Sequence, residues 1–319
     1  METGKDITLP YHPQAFGKIF IVGAGAIGKT LAVLLKCEGH DVVLLRASRD
    51  DEKLHTETIQ LVRNDLTITE AELRIESLSG IEHLDGLIVL TSKAFGNERL
   101  ATLLKEKTND SPVVILQNGL GVEAPFIDNG FDHVYRCVLF VTSQHNTSGQ
   151  VVFKPVATCP IGIVRGDLNT LRCIVDTLDT PEFSFSVSEN IDVIIWKKAI
   201  ANCVFNSVCP LLETDNGIFH RSELALSIAR DIIEECVPIA NAKGISLTSD
   251  QIIESLLSIS KASHGQFIST LQDIRKGTET EIRSLNYEVA RIADLLGKTD
   301  SVRRTRLLGE LTYLKSTLR

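Results

Sequence analysis

Ile19-Phe20-Ile21-Val22-Gly23-Ala24-Gly25-Ala26-Ile27-Gly28 decides how the rest of the chain is read. Four apolar residues run straight into three glycines spaced Gly-x-Gly-x-x-Gly. A helical pattern follows, with apolar residues at 27, 31, 34 and 35, and Gly39 ends it. Val42 to Leu45 is a second apolar run, so strand, helix and strand fit within a unit of about 30 residues. Each glycine has a separate role. The first permits the tight turn, the second lets a pyrophosphate approach the backbone, and the third lets helix and strand pack closely. The start of the helix offers unpaired N–H groups and a partial positive charge to phosphates. Gly23, Ala24, Gly25, Ala26, Ile27 and Gly28 are therefore the expected core of a dinucleotide site.

The end of the second strand bears on which dinucleotide is bound. A site for NAD places Asp or Glu there for the ribose 2′-hydroxyl, whereas Arg suits a 2′-phosphate. The chain has Leu44-Leu45-Arg46-Ala47-Ser48-Arg49. The planar fork of Arg46 can hold a phosphate, with Ser48 and Arg49 assisting. Asp50 and Asp51 compete for Arg49. The expected cofactor is NADP.

Outward from this unit, short apolar runs alternate with helical patterns. Leu87–Leu90, Val113–Leu116, Val134–Val141, Val151–Phe153, Ile161–Val164 and Phe183–Val187 have the character of strands, with weaker signals near 66–69 and 72–75. The alternation predicts a parallel sheet covered on both faces. Ligands of such sheets lie beyond the carboxyl ends of the strands. Lys93 and Asn118 follow two of those ends and become candidates for the cofactor, Asn118 for the substrate as well. An Asn-Gly turn of purely structural use is the competing reading of Asn118.

After residue 188 the period changes to that of helices, over 190–208, 222–243, 249–263, 279–296 and 301–317. The expected organisation is a loose extension over 1–17, a Rossmann-type doubly wound α/β domain over 18–188 and an all-α domain over 189–319. Ile191 to Asn206 is apolar on most sides and predicts a buried helix. Lys198, Asn202 and Asn206 interrupt it at i, i+4 and i+8, within about 80° of one another. A lysine stem can pack while its head reaches water. A buried ammonium is costly without a partner or a chemical role, however. Carbonyl reduction supplies such a role, because an ammonium stabilises charge growing on oxygen and donates the proton.

Composition narrows the alternatives. The 319 residues are 43% hydrophobic and 23% charged, with a formal net charge of -8. Those values suit an ordinary core-forming protein and argue against disorder, a disulfide scaffold and nucleic-acid binding. The seven cysteines are scattered without zinc-type spacing, so reduced thiols and no metal are expected. No apolar leader precedes residue 18 and no run is long enough to span a membrane, which points to the cytoplasm.

Taken together, Gly23–Gly28, Lys93-Ala94-Phe95, Asn118-Gly119-Leu120-Gly121, Trp196–Asn206 and Ser269–Asp273 followed by Thr280-Glu281-Ile282 resemble the ketopantoate reductase (2-dehydropantoate 2-reductase) family from about residue 18 to 310. The resemblance implies NADPH-dependent reduction of 2-dehydropantoate to pantoate, on the route to pantothenate. It implies Lys198 as general acid and Glu281 as partner of the substrate hydroxyl and of Lys198. Asn118, Asn202, Asn206 and Ser269 would position the substrate. The second half would resemble the helical domain of 6-phosphogluconate dehydrogenase. The implied partner is a small keto acid, with a homodimer left open. Arg283 and Tyr287 stand where the family usually has Asp and Gly. Val302-Arg303-Arg304 replaces a region that tends to show Pro and Asn. Two other readings are a related NADP-dependent hydroxy-acid dehydrogenase acting on another small keto acid and a non-catalytic NADP-sensing protein.

Overall fold

Strand β1 (Lys18–Val22) lies inside the sheet and is buried on both sides. Its side chains alternate, as the strand period requires. Ile19 and Ile21 join one apolar core, Phe20 and Val22 another. Helix α1 (Ala26–Cys37) covers the first face with Leu31, Leu34 and Leu35. Beyond β2 (Asp41–Arg46), strands β3 (His55–Val62) and β4 (Ile68–Ser77) pair before the chain crosses to the other side of β1 as β5 (Leu87–Leu90). Helix α2 (Asn97–Lys107), β6 (Val113–Ile115) and α3 (Ala124–Asp128) come next. Leu100, Leu104 and Phe126 from the two helices seal the second face. Strands β7 (Val134–Cys137), β8 (Val141–His145), β9 (Val151–Pro155) and β10 (Cys159–Arg165), helix α4 (Leu168–Leu178) and β11 (Phe185–Val187) complete this half. This computed structural model describes residues 15–47, 54–63 and 65–318.

The strand order is β11-β10-β7-β6-β5-β1-β2-β4-β3-β9-β8. The centre, from β7 to β4, is parallel, as the alternation predicted. The flanks depart from it. β3 runs antiparallel to β4, β8 to β9 and β10 to β7. A few residues cannot make the crossover that parallel pairing needs, so the short turn after Val62 forces a hairpin. There Leu66 takes a positive φ of 65° and Thr67 donates its backbone N–H to Asp65. β3 gives no apolar run because most of its residues before Ile59 are exposed. The run expected over 134–141 is two strands, β7 and β8, broken after Cys137.

From Ile191 the chain is helical. Helix α5 (Ile191–Leu212) is followed by α6 (Ile218–Arg221), α7 (Glu223–Ala242), α8 (Ser249–Ala262), α9 (Ser269–Lys276), α10 (Asn286–Leu295) and α11 (Arg303–Thr317). α5 is the axle of this half, with α7, α8, α9 and α11 packed around it. Leu120, Val138 and partly buried Phe140 of the sheet half join its core. The stretch 279–296 is not one helix: a 3-10 turn over Ile282–Ser284 precedes α10, with the break at Leu285 (φ −115°, ψ −102°). Among the described residues no helix is long and apolar enough to cross a membrane.

α11 has no cap from its own N-cap residue. The carboxylate of Glu235 on α7 supplies one, accepting from the N–H groups of Arg304 (3.0 Å) and Thr305 (2.8 Å). The arrangement satisfies two orphan donors and opposes the helix dipole. Glu235→Ala is expected to cost about 1–2 kcal/mol. Denaturant titration checks this, and an unchanged midpoint and slope would mean that the cap contributes nothing.

Candidate active site

The glycine turn is built by steric necessity. Gly23 has φ +128°, and a Cβ there would lie 2.4 Å from the backbone nitrogen of Ser92. A Cβ on Gly28 would lie 1.9 Å from the carbonyl oxygen of Gly23. Thr91, just after β5, donates its hydroxyl to that same carbonyl at 2.9 Å and ties the turn to the next strand. Gly25 is different: a Cβ there would meet nothing within 4 Å. It is exposed, with Ala24, Ala26 and Ile27 partly buried around it. The start of α1 carries no side-chain cap and no acidic residue in its first turn. Free donors, open space and a first turn without an acidic residue fit the pyrophosphate of a dinucleotide. Arg46 ends β2 and is partly buried, in register with Ser77 of β4. Ser48, Arg49, Asp50 and Asp51 lie outside the described residues.

The loop after β6 is where the two halves touch. Asn97 and Gln117 exchange hydrogen bonds between their amides, at 2.7 and 2.9 Å, and pin the start of the loop. Gly119 has φ +105°, and a Cβ there would come within 2.5 Å of the Ser284 side chain. Leu120 N–H donates to the carbonyl of Ser284 at 2.8 Å. Asn118 is thereby held at the seam, with its Nδ2 3.5 Å from Oε2 of Glu281. The same carboxylate oxygen lies 3.7 Å from the amine of Lys93, which also bonds Asp273 at 3.1 Å. Burial alone would push Lys93 down. The carboxylates of Glu281 and Asp273 outweigh it and hold this ammonium above the ordinary lysine range.

Lys198 and Asn202 project from α5 into a small open pocket that Gln117, Asn118 and Gly119 of the loop after β6 also line. The Lys198 amine donates to the carbonyl of Leu139 at 2.6 Å and sits 5.7 Å from the centre of the Phe140 ring. Burial lowers its pKa, and Cys137, Cys159 and Glu281 offset this only in part. The resemblance implied that Glu281 helps to hold Lys198. Here a backbone carbonyl holds the lysine, and Glu281 is paired with Lys93. Asn206, one turn beyond Asn202, is buried and accepts from the hydroxyl of Thr270 at 2.7 Å. It anchors α9, which carries Asp273, and does not line the pocket. Ser269 opens α9 and is exposed.

Sequence reading passed over Arg136, which also lines this pocket. It is 2% exposed and donates to the Glu123 carboxylate and to the carbonyls of Gly119 (3.0 Å) and Gln117 (3.4 Å). The signal was present: a charge inside the apolar run Val134-Tyr135-Arg136-Cys137 demands a buried partner. The positions that depart from the family face elsewhere. Arg283 donates to the hydroxyl of Tyr313 at 2.9 Å, and Tyr287 packs edge-on against the same ring. Arg303 and Arg304 pair with Asp300 and Asp231.

Family comparison places this geometry. Residues 19–166 match the ketopantoate reductase PanE/ApbA family and residues 190–306 its C-terminal domain. The chain belongs to the ketopantoate reductase family. A 2-dehydropantoate 2-reductase of Pyrococcus horikoshii is 28% identical over 284 residues, covering 88% of this chain and 91% of the relative. Among solved structures, the ternary structure of D-mandelate dehydrogenase with NADH and anilino(oxo)acetate superposes with a TM-score of 0.81 at 24% identity, over 94% of this chain and 98% of that one. The PanE/ApbA family ketopantoate reductase from Ralstonia eutropha JMP134 gives 0.78 at 23% identity, over the same shares. The last two establish the shared fold, a mixed α/β sheet domain followed by helices. The family is one of oxidoreductases.

An ammonium in this position is a burden on the fold. Its lowered pKa means that between the folded value and the unfolded value of ~10.4 the unfolded chain carries more of the proton, so folding gains as pH rises through that window. At pH 7 Lys198→Met is expected to keep or raise the melting temperature. A drop equivalent to more than ~2 kcal/mol in calorimetry would instead show that the bond to Leu139 is structural.

Proposed function

We propose that the chain reduces the keto group of a small 2-keto acid, 2-dehydropantoate, to the hydroxy acid pantoate with NADPH. The observation that carries this reading is the convergence of Lys198, Asn202 and Asn118 on one pocket, between α5 and the carboxyl end of β6. The bound cofactor would supply the hydride to the carbonyl carbon. The protein's part is to hold the keto acid and deliver a proton. The Lys198 ammonium donates to the oxygen as negative charge grows there, becomes a neutral amine and is recharged from solvent. Its lowered pKa makes that donation easier than from an ordinary lysine. Asn118 and Asn202 orient the substrate from opposite walls, and Glu281 receives a hydroxyl of the substrate. The open space above Gly25 and the N-terminus of α1 would hold the pyrophosphate, and Arg46 would face the 2′-phosphate.

Lys198→Met is expected to lower kcat by at least ~10²-fold; an unchanged rate rules out the acid role. Because the donor must be protonated, wild-type kcat/KM should be flat at low pH. It should then fall through one ionisation below the usual lysine value, and Lys198→Met should abolish that fall. Turnover of 2-dehydropantoate above about 10⁴ M⁻¹s⁻¹ supports the substrate. A faster reaction with another small keto acid would reassign the substrate and keep the chemistry. Gly25→Val, at the N-cap of α1, should cost no more than about 1 kcal/mol of stability and abolish binding of NADPH by fluorescence. Arg46→Asp should weaken NADPH far more than NADH, and equal effects would remove the 2′-phosphate assignment.

A further inference from the structure

Arg136 stands at the carboxyl end of β7, beside Ile115 of β6. Two of its nitrogens are committed, Nη1 to Glu123 and Nη2 to the carbonyls that flank Asn118. Its Nε is buried and donates to no acceptor among the described residues. A buried charged donor left without a partner is costly, which makes an absent partner the question to ask of it. The residue lines the same pocket as Lys198 and Asn202. Two cations facing one small space repel, and the charge of Arg136 does disfavour the ammonium form of Lys198. An anion placed between them would relieve both. Glu281 and Asp273, the two carboxylates facing Lys93 at this seam, are already paired with it, and Glu281 also meets Asn118.

Building on the keto-acid reading, we infer that Arg136 is a substrate-binding residue whose Nε–H donates to the carboxylate of the 2-keto acid and so selects acids over neutral ketones. The chemistry recognised is a carboxylate adjacent to a carbonyl. Charge-assisted bonds of this kind are short and directional, and a site built for one discriminates strongly against an analogue that lacks the charge. The carbonyls of Gln117 and Gly119 and the Glu123 carboxylate fix the guanidinium, so the donor is aimed before substrate arrives.

The test compares a keto acid with its methyl ester as substrates of the NADPH-saturated enzyme. Wild type should prefer the acid by about 10²-fold or more in kcat/KM. Arg136→Lys can still bond Glu123 and a loop carbonyl but offers no second donor to the pocket. It should lower the acid-to-ester ratio at least 10-fold, with kcat/KM for the acid falling by far more than that for the ester. Arg136→Met should lower the ratio further. If it does not fold, the lysine variant alone decides. An unchanged ratio in Arg136→Lys overturns the assignment, as does a parallel loss on acid and ester, which would mark the arginine as a structural tie. If wild type turns over neither substrate, the reductase reading has failed by itself. The arginine is then judged by calorimetry with oxamate against neutral oxamide: loss of an oxamate preference in Arg136→Lys supports anion binding, and equal binding by both proteins refutes it.

Discussion

The close contact between Gly119 and Ser284 governs the architecture of the site. Two backbones from opposite halves of the chain meet where no Cβ fits, and the bond from Leu120 to Ser284 fixes their register. Asn118 and Glu281 lie just beside this contact, one on each half, which is why their side chains reach each other. Lys93 and Asp273 add a second tie across the same seam. An interface held by backbone contact and ion pairs positions its side chains more tightly than apolar packing alone, because hydrogen bonds and glycine-only approaches tolerate little sliding. The polar groups therefore converge because of how the halves dock, not because of any short motif.

Charge is apportioned within this seam. Two carboxylates, Glu281 and Asp273, face Lys93 and keep it firmly protonated. Lys198 has no carboxylate within ion-pair distance among the described residues and is left with a neutral carbonyl, so burial sets its proton affinity. The two lysines thus acquire opposite tendencies from their surroundings: Lys93 is held as the cation, and Lys198 gives up its proton more readily than an ordinary lysine. Such divergence is the usual mark of a site organised for proton transfer.

Much of this was legible in the residues. The glycine spacing between strand and helix determined the βαβ unit because it states a steric requirement that few other contexts share. The i, i+4 placing of Lys198 and Asn202 was readable because helical geometry converts spacing directly into a shared face. What failed to show had physical reasons. β3 is half exposed, so its polar sequence carries no apolar run. Asn206 shares the helical face of Lys198, but spacing cannot tell which turn faces the pocket and which faces α9; only the packing of Thr270 does. The pairing of Glu281 with Lys93 spans far too many residues for any periodicity to report. Arg136 was visible as an anomaly, yet its partners Gln117, Gly119 and Glu123 lie on a separate loop.

One consequence of helix α5 concerns how such a protein can change over generations. Lys198 and Asn202 stand one turn apart on a rod clamped by four other helices, so their separation works like the marks on a ruler. Drift cannot easily respace them without disturbing the whole helical half. The facing wall is the loop after β6 and the tip of β7, whose side chains are not bound to one helical spacing. Change should therefore accumulate more readily on the sheet side of the pocket, while the helical side keeps its spacing.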